Sequence, residues 1–426
     1  MSSLLPVEEQ LPILTRGIVD LHVRAEFEER LVASKKSGTP LRVKAGFDPT
    51  RPDLHLGHAV LLQKMRQFQD CGHVAIFIVG EFTAMVGDPT GANDQRPRLS
   101  REQVREAAES YKEQAFKVLD ANPERVEVVY NSTWLDALKP SELVELMAKM
   151  TVARMLERND FGLRFKENRP IFQHEFLYPL LQAYDSVAIK ADIELGGTDQ
   201  LFNLLVGRDL MPRYGLRGQM VMTTPILEGT DARFEKGADD VTRIVGKKMS
   251  KSADNYIGIQ EDPLAMFRKV MQIDDDVIFR YFELLSARTN EEIAALKAER
   301  ASGKNPMEIK ALFATEIITR FHDAAAAAHA AAEFGRVYGA DAVPDDVATH
   351  EIAIDQPTLW IAKALSSAGL VKSTGEGKRL VEQGGVEVDE VRVSNAQHQL
   401  APGEYLVRVG SKNRRFCRIK VVRAPA

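Results

Sequence analysis

Cysteine is scarce in this 426-residue chain: Cys71 and Cys417 are the only two, with no C-x-x-C. That excludes a disulfide framework and reads as a protein of a reducing, cytoplasmic compartment. Tryptophan is as rare, also with two. No apolar run approaches the ~20 residues of a membrane span. The start MSSLLPVEEQ lacks a basic end followed by an apolar stretch, so no signal peptide is expected. A G-x-x-x-x-G-K-[ST] loop is absent too, which excludes phosphate cradling by that route. Positive charge is not in excess: 56 Lys+Arg against 61 Asp+Glu, net −5, argues against a protein that coats nucleic acid without selection.

What is present describes an ordinary folded protein. With 44% hydrophobic and 27% charged residues it can bury a real core. Its length suits two or three domains at ~100–200 residues each. The charge is uneven. Residues 351–426 hold 12 Lys+Arg and 8 Asp+Glu, a local +4, which leaves 44 and 53 elsewhere, or −9. Between Arg408 and Arg423 there are seven basic residues and no acidic one. Such an end suits a polyanion docking there, and equally a solvated charged strand pair.

Along the chain, LRVKAGF at 41–47 predicts a short buried strand, broken by Asp48-Pro49-Thr50 and Pro52. Residues 54–70 carry apolar positions at helical spacing, with Gly72 as the stop. HVAIFIVG at 73–80 is a second buried strand. Strand, helix, strand is a βαβ unit of a parallel sheet, and ligands of such sheets sit at the carboxyl ends of the strands. GFDPTRPDLHLGH occupies that place. A helix is expected over 100–120, a strand near 126–130 and a mostly helical insertion to about Tyr184. Another strand at 187–195 should run into Gly196-Gly197-Thr198-Asp199-Gln200 and a helix over 200–210.

From Pro263 to about Gly339 the pattern is mainly helical, and the alanine run at 324–332 is a helix built from the strongest helix former. Residues 340–356 read as a linker. After Thr358 a short helix pair and Gly- and Val-rich short strands form a small α+β module. The expected fold class is therefore α/β. A Rossmann-like parallel-sheet domain with a helical insertion spans 1–260, an α-helical domain 261–345, and an α+β domain 355–426.

Two strings carry chemistry. His55-Leu56-Gly57-His58 places two imidazoles at a helix start, where they can donate to phosphate oxygens alongside the helix N-terminal potential. Gly57 leaves room for a nucleotide sugar or base. Capping or packing histidines are the plain alternative, and a zinc site would need further ligands that this segment lacks. Gly246-Lys247-Lys248-Met249-Ser250-Lys251-Ser252 reads as an exposed cationic loop, suited to a β,γ-diphosphate or simply to solvent. Each string is weak alone. Together, in this order, they point to ATP chemistry.

GFDPTRPDLHLGH resembles the HIGH signature of class I aminoacyl-tRNA synthetases, and KKMSKS is similar to their second signature. YPLLQAYDS at 178–186, GDPTG at 87–91 and GGTDQ at 196–200 narrow the resemblance to bacterial tyrosyl-tRNA synthetases of the KMSKS-containing branch, over nearly the whole chain. The terminal module resembles the small RNA-binding domain of the S-four type.

The resemblance implies two steps. The carboxylate of tyrosine attacks the α-phosphate of ATP, releasing pyrophosphate, and the terminal ribose hydroxyl of tRNA(Tyr) then takes the tyrosine from the adenylate. It implies catalytic roles for Thr50, His55, His58, Lys248 and Lys251, and ATP contacts from Asp48, Gly57, Asp199 and Lys251. It implies a tyrosine pocket of Asp88, Tyr178, Gln182, Asp185 and Gln200, with Asp185 on the phenol. RNA contacts fall to Lys412, Arg414 and Arg415. Magnesium accompanies ATP as a substrate complex, with no tightly bound cofactor and no metal held by the protein. A cytoplasmic homodimer, with no membrane contact, is implied as well. Tyr178, Gln182 and Asp185 fall at i, i+4 and i+7 and so share one helix face. A buried polar cluster is the alternative for that face, and a helix cap the alternative for Asp199.

The chain also departs from the family. Another branch has Tyr-Cys where this one has Lys44-Ala45, so the tyrosine that would share the substrate hydroxyl with Asp185 is absent. Selection then leans on Asp185, with Lys44 either in the pocket or at the surface. Ala92 stands where a basic residue often occurs, which leaves Arg96 as a candidate phosphate or tRNA contact. Residues 228–245 are longer than expected before KMSKS and read as an exposed flap. The alternatives are a tryptophan–tRNA ligase and a catalytically inactive synthetase-like RNA-binding protein. Asp185 suits a phenol better than an indole donor, and the intact His55, His58, Lys248 and Lys251 argue for activity.

Overall fold

The computed structural model describes residues 4–49, 54–89, 100–237, 240–338, 347–389, 391–410 and 415–424, in two units, Met1–Ala331 and Ala332–Ala426. The first is built on a six-stranded sheet: β1 (Asp20–His22), β2 (Arg42–Phe47), β3 (Val74–Val79), β4 (Val126–Tyr130), β5 (Ile193–Gly197) and β6 (Met220–Thr224). Their order is β1-β6-β5-β2-β3-β4, parallel throughout except for β1 against β6. β6 is buried along its whole length and β3 beyond its first residue, as apolar strands of a doubly covered parallel sheet must be.

From β2 the chain winds one way through β3 to β4, and later the other way through β5 to β6. That reversal leaves a crevice beyond the carboxyl ends of β2 and β5. The helix Leu56–Asp70 returns the chain from β2 to β3 and aims its N-terminus into the crevice. It is closed by Gly72, whose φ of +95° is a left-handed backbone that glycine adopts without penalty.

The strand expected at 187–195 is shorter and later. Residues 187–189 finish the helix Leu177–Ile189, Lys190 turns the chain at φ +52°, and only then does β5 begin. Val187 packs with the core formed by Leu180, Ala183 and Leu210, and Ile189 with Ile76 and Ile78. Packing on two sides thus overrides the strand preference of a β-branched stretch.

The helical region after KMSKS appears as five helices, Pro263–Gln272, Ile278–Leu285, Asn290–Ala301, Pro306–Phe321 and Ala324–Tyr338. The second of them packs on the helix Leu56–Asp70, so this region rests directly against the sheet domain. Tyr281 and Phe282 meet Phe313 edge to face, with centroids 6.0 and 5.0 Å apart. Residues 228–245 hold a two-stranded ribbon, β7 (Arg233–Lys236) and β8 (Thr242–Val245), with Phe234 and Val245 open to solvent, in keeping with the expected flap.

In the second unit the helices Ile361–Ser367 and Thr374–Glu382 pack on a five-stranded sheet. Its strands are β9 (Thr349–Ile354), β11 (Val386–Val388), β12 (Val391–Arg392), β14 (Gly403–Val409) and β15 (Arg415–Arg423), in the order β12-β11-β14-β15-β9. A bridge of β10 (Leu359–Trp360) with β13 (Gln399–Leu400) completes it. The linker expected at 340–356 is corrected by β9, which lies parallel to β15 from Thr349 against Arg418 to Ile354 against Arg423. THEIAI is mostly exposed and too polar to read as a strand; the ladder offered by β15 decides it. Three cations of the basic run meet carboxylates on neighbouring strands: Arg408 with Glu387, Arg418 with Glu404 and Lys420 with Glu351.

Lys190 is exposed and holds a left-handed backbone that costs a residue with a Cβ about 1 kcal/mol. Lys190→Gly should therefore raise the urea midpoint, by up to about 1 kcal/mol of stability. A lowered midpoint would show that the residue does more than close the helix.

Candidate active site

A cavity of about 1090 Å³ occupies the crevice. Its walls include Asp48, His55, Gly57, His58, Asp88, Tyr178, Gln182, Asp185, Asp199, Gln200, Lys248 and Lys251. Residues separated by up to two hundred positions thus share one space. Thr50, Ala92, Arg96, Lys412 and Arg414 lie outside the described residues; Arg415 is exposed at the start of β15.

The two histidines cap their own helix. Nδ1 of His55 accepts from the Gly57 N–H at 3.1 Å, and Nδ1 of His58 accepts from the His55 N–H at 3.2 Å. The capping alternative is therefore realised, and it does not compete with chemistry. A neutral imidazole that accepts at Nδ1 carries its proton on Nε2, so both rings keep an N–H donor at the cavity. Burial, the His58 ring and the two loop lysines push His55 down to about 2. Burial, with Lys248 and Lys251, takes His58 to about 4. Both act near neutral pH as uncharged donors. A Cβ at Gly57 would stand 2.9 Å from Nδ1 of His55, so this glycine is required by the cap as well as facing the cavity. Among the described residues no group of three or more His, Cys, Asp or Glu is placed to hold a metal ion.

The lysine loop is exposed at Lys247 and Lys248, as its composition predicts, and its backbone is pinned. Met249 is buried, its N–H donates to the Leu227 carbonyl at 3.0 Å, and Gly229 N–H donates to the Lys247 carbonyl at 2.9 Å. Asn255 ties the loop from inside: its Oδ1 accepts from Ser250 N–H at 2.9 Å, and its Nδ2 reaches Asp231 at 2.7 Å and the Lys247 carbonyl at 3.3 Å. Just beyond, Leu56 N–H donates to the Ile257 carbonyl and Ile259 N–H to the Leu54 carbonyl, so the histidine and lysine strings are stitched backbone to backbone. Lys248 stays 60% exposed and pairs with Asp199 at 3.0 Å; Lys251 lies over the Tyr256 ring at 5.7 Å.

The other end of the cavity holds the helix Leu177–Ile189. Asp185 is buried, accepting from Trp134 Nε1 at 2.8 Å and from Asn131 Nδ2 at 3.4 Å. Burial pushes its carboxyl up to about 7, against the pull of Lys44 and the two donors. Tyr178 donates to Asp48 Oδ2 at 2.8 Å, and Thr83 Oγ1 donates to Asp48 Oδ1 at 2.7 Å. Burial likewise lifts Asp48 to about 6. The family resemblance assigns Asp48 to the nucleotide, but its hydrogen bonds run to this group. Asp88 accepts from Arg158 at 2.7 Å and from Gln200 Nε2 at 2.8 Å. Asn203 donates to both Gln200 Oε1 and Gln182 Oε1, at 2.9 and 3.1 Å.

Sequence reasoning does not find Asn131, Trp134, Arg158 or Thr83. Two signals are available: Asn131 directly follows β4, at the carboxyl end of a parallel strand, and Trp134 is one of two tryptophans. Lys44 is no surface residue. It is buried beneath the cavity floor and paired with Glu194 at 3.0 Å.

The family model for tRNA synthetases class I (W and Y) matches residues 35–339, and the model for the S4 domain matches residues 359–404. The tyrosine–tRNA ligase of Bordetella bronchiseptica is 50% identical over 98% of this chain and 97% of its own length. That of Desulfotalea psychrophila is 47% identical over 97% of this chain and 98% of its own. Solved structures share the fold at lower identity. A C-terminally truncated mitochondrial tyrosyl-tRNA synthetase of Aspergillus nidulans has a TM-score of 0.63 at 19% identity, covering 78% of this chain and 94% of that one. Tyrosyl-tRNA synthetase of Archaeoglobus fulgidus, complexed with L-tyrosine, gives 0.59 at 22%, covering 76% and 99%. A cavity that joins the histidine cap, the pinned lysines and the buried Asp185 therefore sits in a chain that belongs to the class I tRNA synthetases of the W and Y group and, within it, to the tyrosine–tRNA ligases.

Proposed function

We propose that this cavity activates tyrosine with ATP and passes it to tRNA(Tyr). The observation that carries the reading is the floor of the cavity. A buried carboxylate, Asp185, is held by two donors and left facing the space, with neutral imidazoles and lysines at the far end. Asp185 accepts the phenol hydroxyl, and Tyr178, Gln182, Asp88 and Gln200 surround the α-ammonium and carboxylate. A site built to bond a hydroxyl rejects the analogue that lacks one, a rule whose best-known example is itself a tyrosine-activating enzyme.

The tyrosine carboxylate attacks the α-phosphate in line, and no enzyme nucleophile is needed. Positioning and charge stabilisation carry the rate. The Nε2–H of His55 and of His58 donates to phosphate oxygens without adding charge of its own. The family resemblance gives Thr50 a phosphate contact as well. Lys248 and Lys251 supply charge as pyrophosphate leaves, with magnesium arriving on ATP. Asp199 receives the ribose hydroxyls, which requires Lys248 to leave it. That exposed pair is worth no more than about 1 kcal/mol, so ATP exchanges it readily for phosphate contacts. Gly57 and Asp48 border the nucleotide.

Residues 1–260 serve as the catalytic domain, 261–345 meet the anticodon end, and 355–426, through Lys412, Arg414 and Arg415, hold tRNA phosphates. A cytoplasmic homodimer fits the exposed Val144, Met147, Val152, Leu163 and Phe165 on the insertion.

ATP–pyrophosphate exchange across the amino acids tests the reading: tyrosine alone should drive it, and exchange driven by tryptophan instead would overturn it. Lys251→Ala should slow adenylate formation about a hundredfold with little change in tyrosine affinity; loss of affinity alone would remove the lysine from the transition state. The raised Asp185 gives a pH signature. Its protonated form is favoured by the fold, so its contribution to stability is full below about pH 4 and is lost as pH rises through about 7. Asp185→Asn should therefore stabilise the unliganded protein by roughly 2–4 kcal/mol at pH 8, and hardly at pH 4, while abolishing selection of tyrosine over phenylalanine. A gain of equal size at both pH values would assign the effect to packing. Neutralising Lys412, Arg414 and Arg415 should reduce the salt dependence of tRNA binding and spare pyrophosphate exchange; loss of exchange would place these residues in folding.

A further inference from the structure

Lys44 and Glu194 are cross-strand neighbours in the β2–β5 ladder, on the two strands between which the sheet reverses direction. Their side chains are only 1% and 2% exposed and pair at 3.0 Å. Neither lines the cavity, and nothing in the two-step reaction uses them. A buried ion pair is poor evidence of a stabilising device, because desolvation offsets most of its attraction. Its partners say more. Glu194 Oε1 accepts from Gln182 Nε2 at 3.1 Å, and Oε2 accepts from Ser186 Oγ at 3.3 Å and from Gln219 Nε2. Lys44 Nζ also donates to the Gln182 carbonyl at 3.1 Å. Gly207 leaves the space: a Cβ there would lie 3.1 Å from Glu194 Oε2 and 2.6 Å from Gln219 Nε2.

The chemistry of this cage decides which end of the Gln182 amide faces where. A carboxylate paired with an ammonium offers only acceptors, so the amide must turn its NH₂ toward Glu194. Its oxygen then points to the other side, where Asn203 Nδ2 already donates to it. A substrate ammonium is donor-only and needs that oxygen. A flipped amide would set N–H against N–H.

We propose that Lys44 is a positioning residue for the α-ammonium of the amino acid: with Glu194 it sets the Gln182 side-chain amide so that its oxygen, and not its nitrogen, meets the substrate. This rests on the reading of the cavity given above. Lys44 acts from below the floor, through Glu194, on the Gln182 amide.

The test compares L-tyrosine with des-aminotyrosine, which keeps the phenol and the carboxylate and lacks the ammonium. Binding of both is measured by calorimetry to the full-length wild type, to Lys44→Met and to the neutral, near-isosteric double variant Lys44→Met/Glu194→Gln. In the double variant the glutamine can present either end to Gln182, so the amide loses its fixed sense without a charge being stranded. Both variants should bind L-tyrosine about tenfold or more weakly, the size of one lost bond to a charged group. Des-aminotyrosine should change less than about threefold, and a thermal melt confirms folding. Equal loss for both ligands would make the pair a structural element of the pocket and overturn the proposal. Unchanged tyrosine affinity in the double variant would overturn it too, as would failure of both variants to fold. Wild-type protein that does not bind L-tyrosine would instead sink the reading of the cavity itself.

Discussion

The cavity of the first unit hangs on the adjacency of β2 and β5. Parallel strands that part company in opposite directions cannot both be covered at their carboxyl ends by the same connection, so a crevice is unavoidable there. Into it the chain delivers the helix cap at His55 and His58, the turn at Gly197–Asp199 and the helix face of Tyr178, Gln182 and Asp185. The same adjacency buries Lys44 beside Glu194 and makes the floor of the crevice polar from beneath. A register slip of one residue would turn one member of that pair to the opposite face and leave two charges without partners.

The two ends of the cavity handle charge differently. At the histidine end, burial and neighbouring cations keep the imidazoles neutral, and their cap hydrogen bonds dictate which nitrogen holds the proton. Positive charge is left to lysines whose backbone is pinned by Met249 and Asn255. At the Asp185 end the polar side chains hold one another in place. Arg158, Asp88, Gln200, Asn203, Gln182, Glu194 and Lys44 form one continuous chain of hydrogen bonds and ion pairs. In a connected network of this kind no member can turn without breaking a partner's hydrogen bond. The cavity is held at a cost to stability, since Asp185 and Asp48 beside this network are both carboxyls in surroundings that favour their protonated forms.

The helical region and the flap bear on the lysines through a few named contacts. Tyr281, from the helix Ile278–Leu285, donates to the Glu228 carbonyl at 2.7 Å. Residues 227–229 are the segment against which Lys247–Met249 pairs. The β7–β8 ribbon rises between these two pairing segments, so its insertion lengthens the connection without disturbing the anchor.

Much of this is legible in the residues alone. The βαβ unit, the helical region and the terminal α+β module follow from periodicity and from Gly and Pro punctuation, because those signals are local and set by backbone sterics. The histidine and lysine strings, and the i, i+4, i+7 face ending at Asp185, are legible for the same reason: their geometry is carried by a single turn or helix. What is not legible arises between segments. Val187 and Ile189 are strand-like residues held in a helix by packing on two sides, and THEIAI becomes a strand because β15 offers a ladder. Lys44 reads as surface or pocket and is neither, since only the pairing of β2 with β5 brings it a buried carboxylate. Trp134 and Asn131 reach Asp185 across about fifty residues, and Arg158 reaches Asp88 across seventy. Local order is dictated by neighbours in the chain. The partners of buried polar groups are dictated by which strands lie side by side, and no stretch of sequence states that by itself.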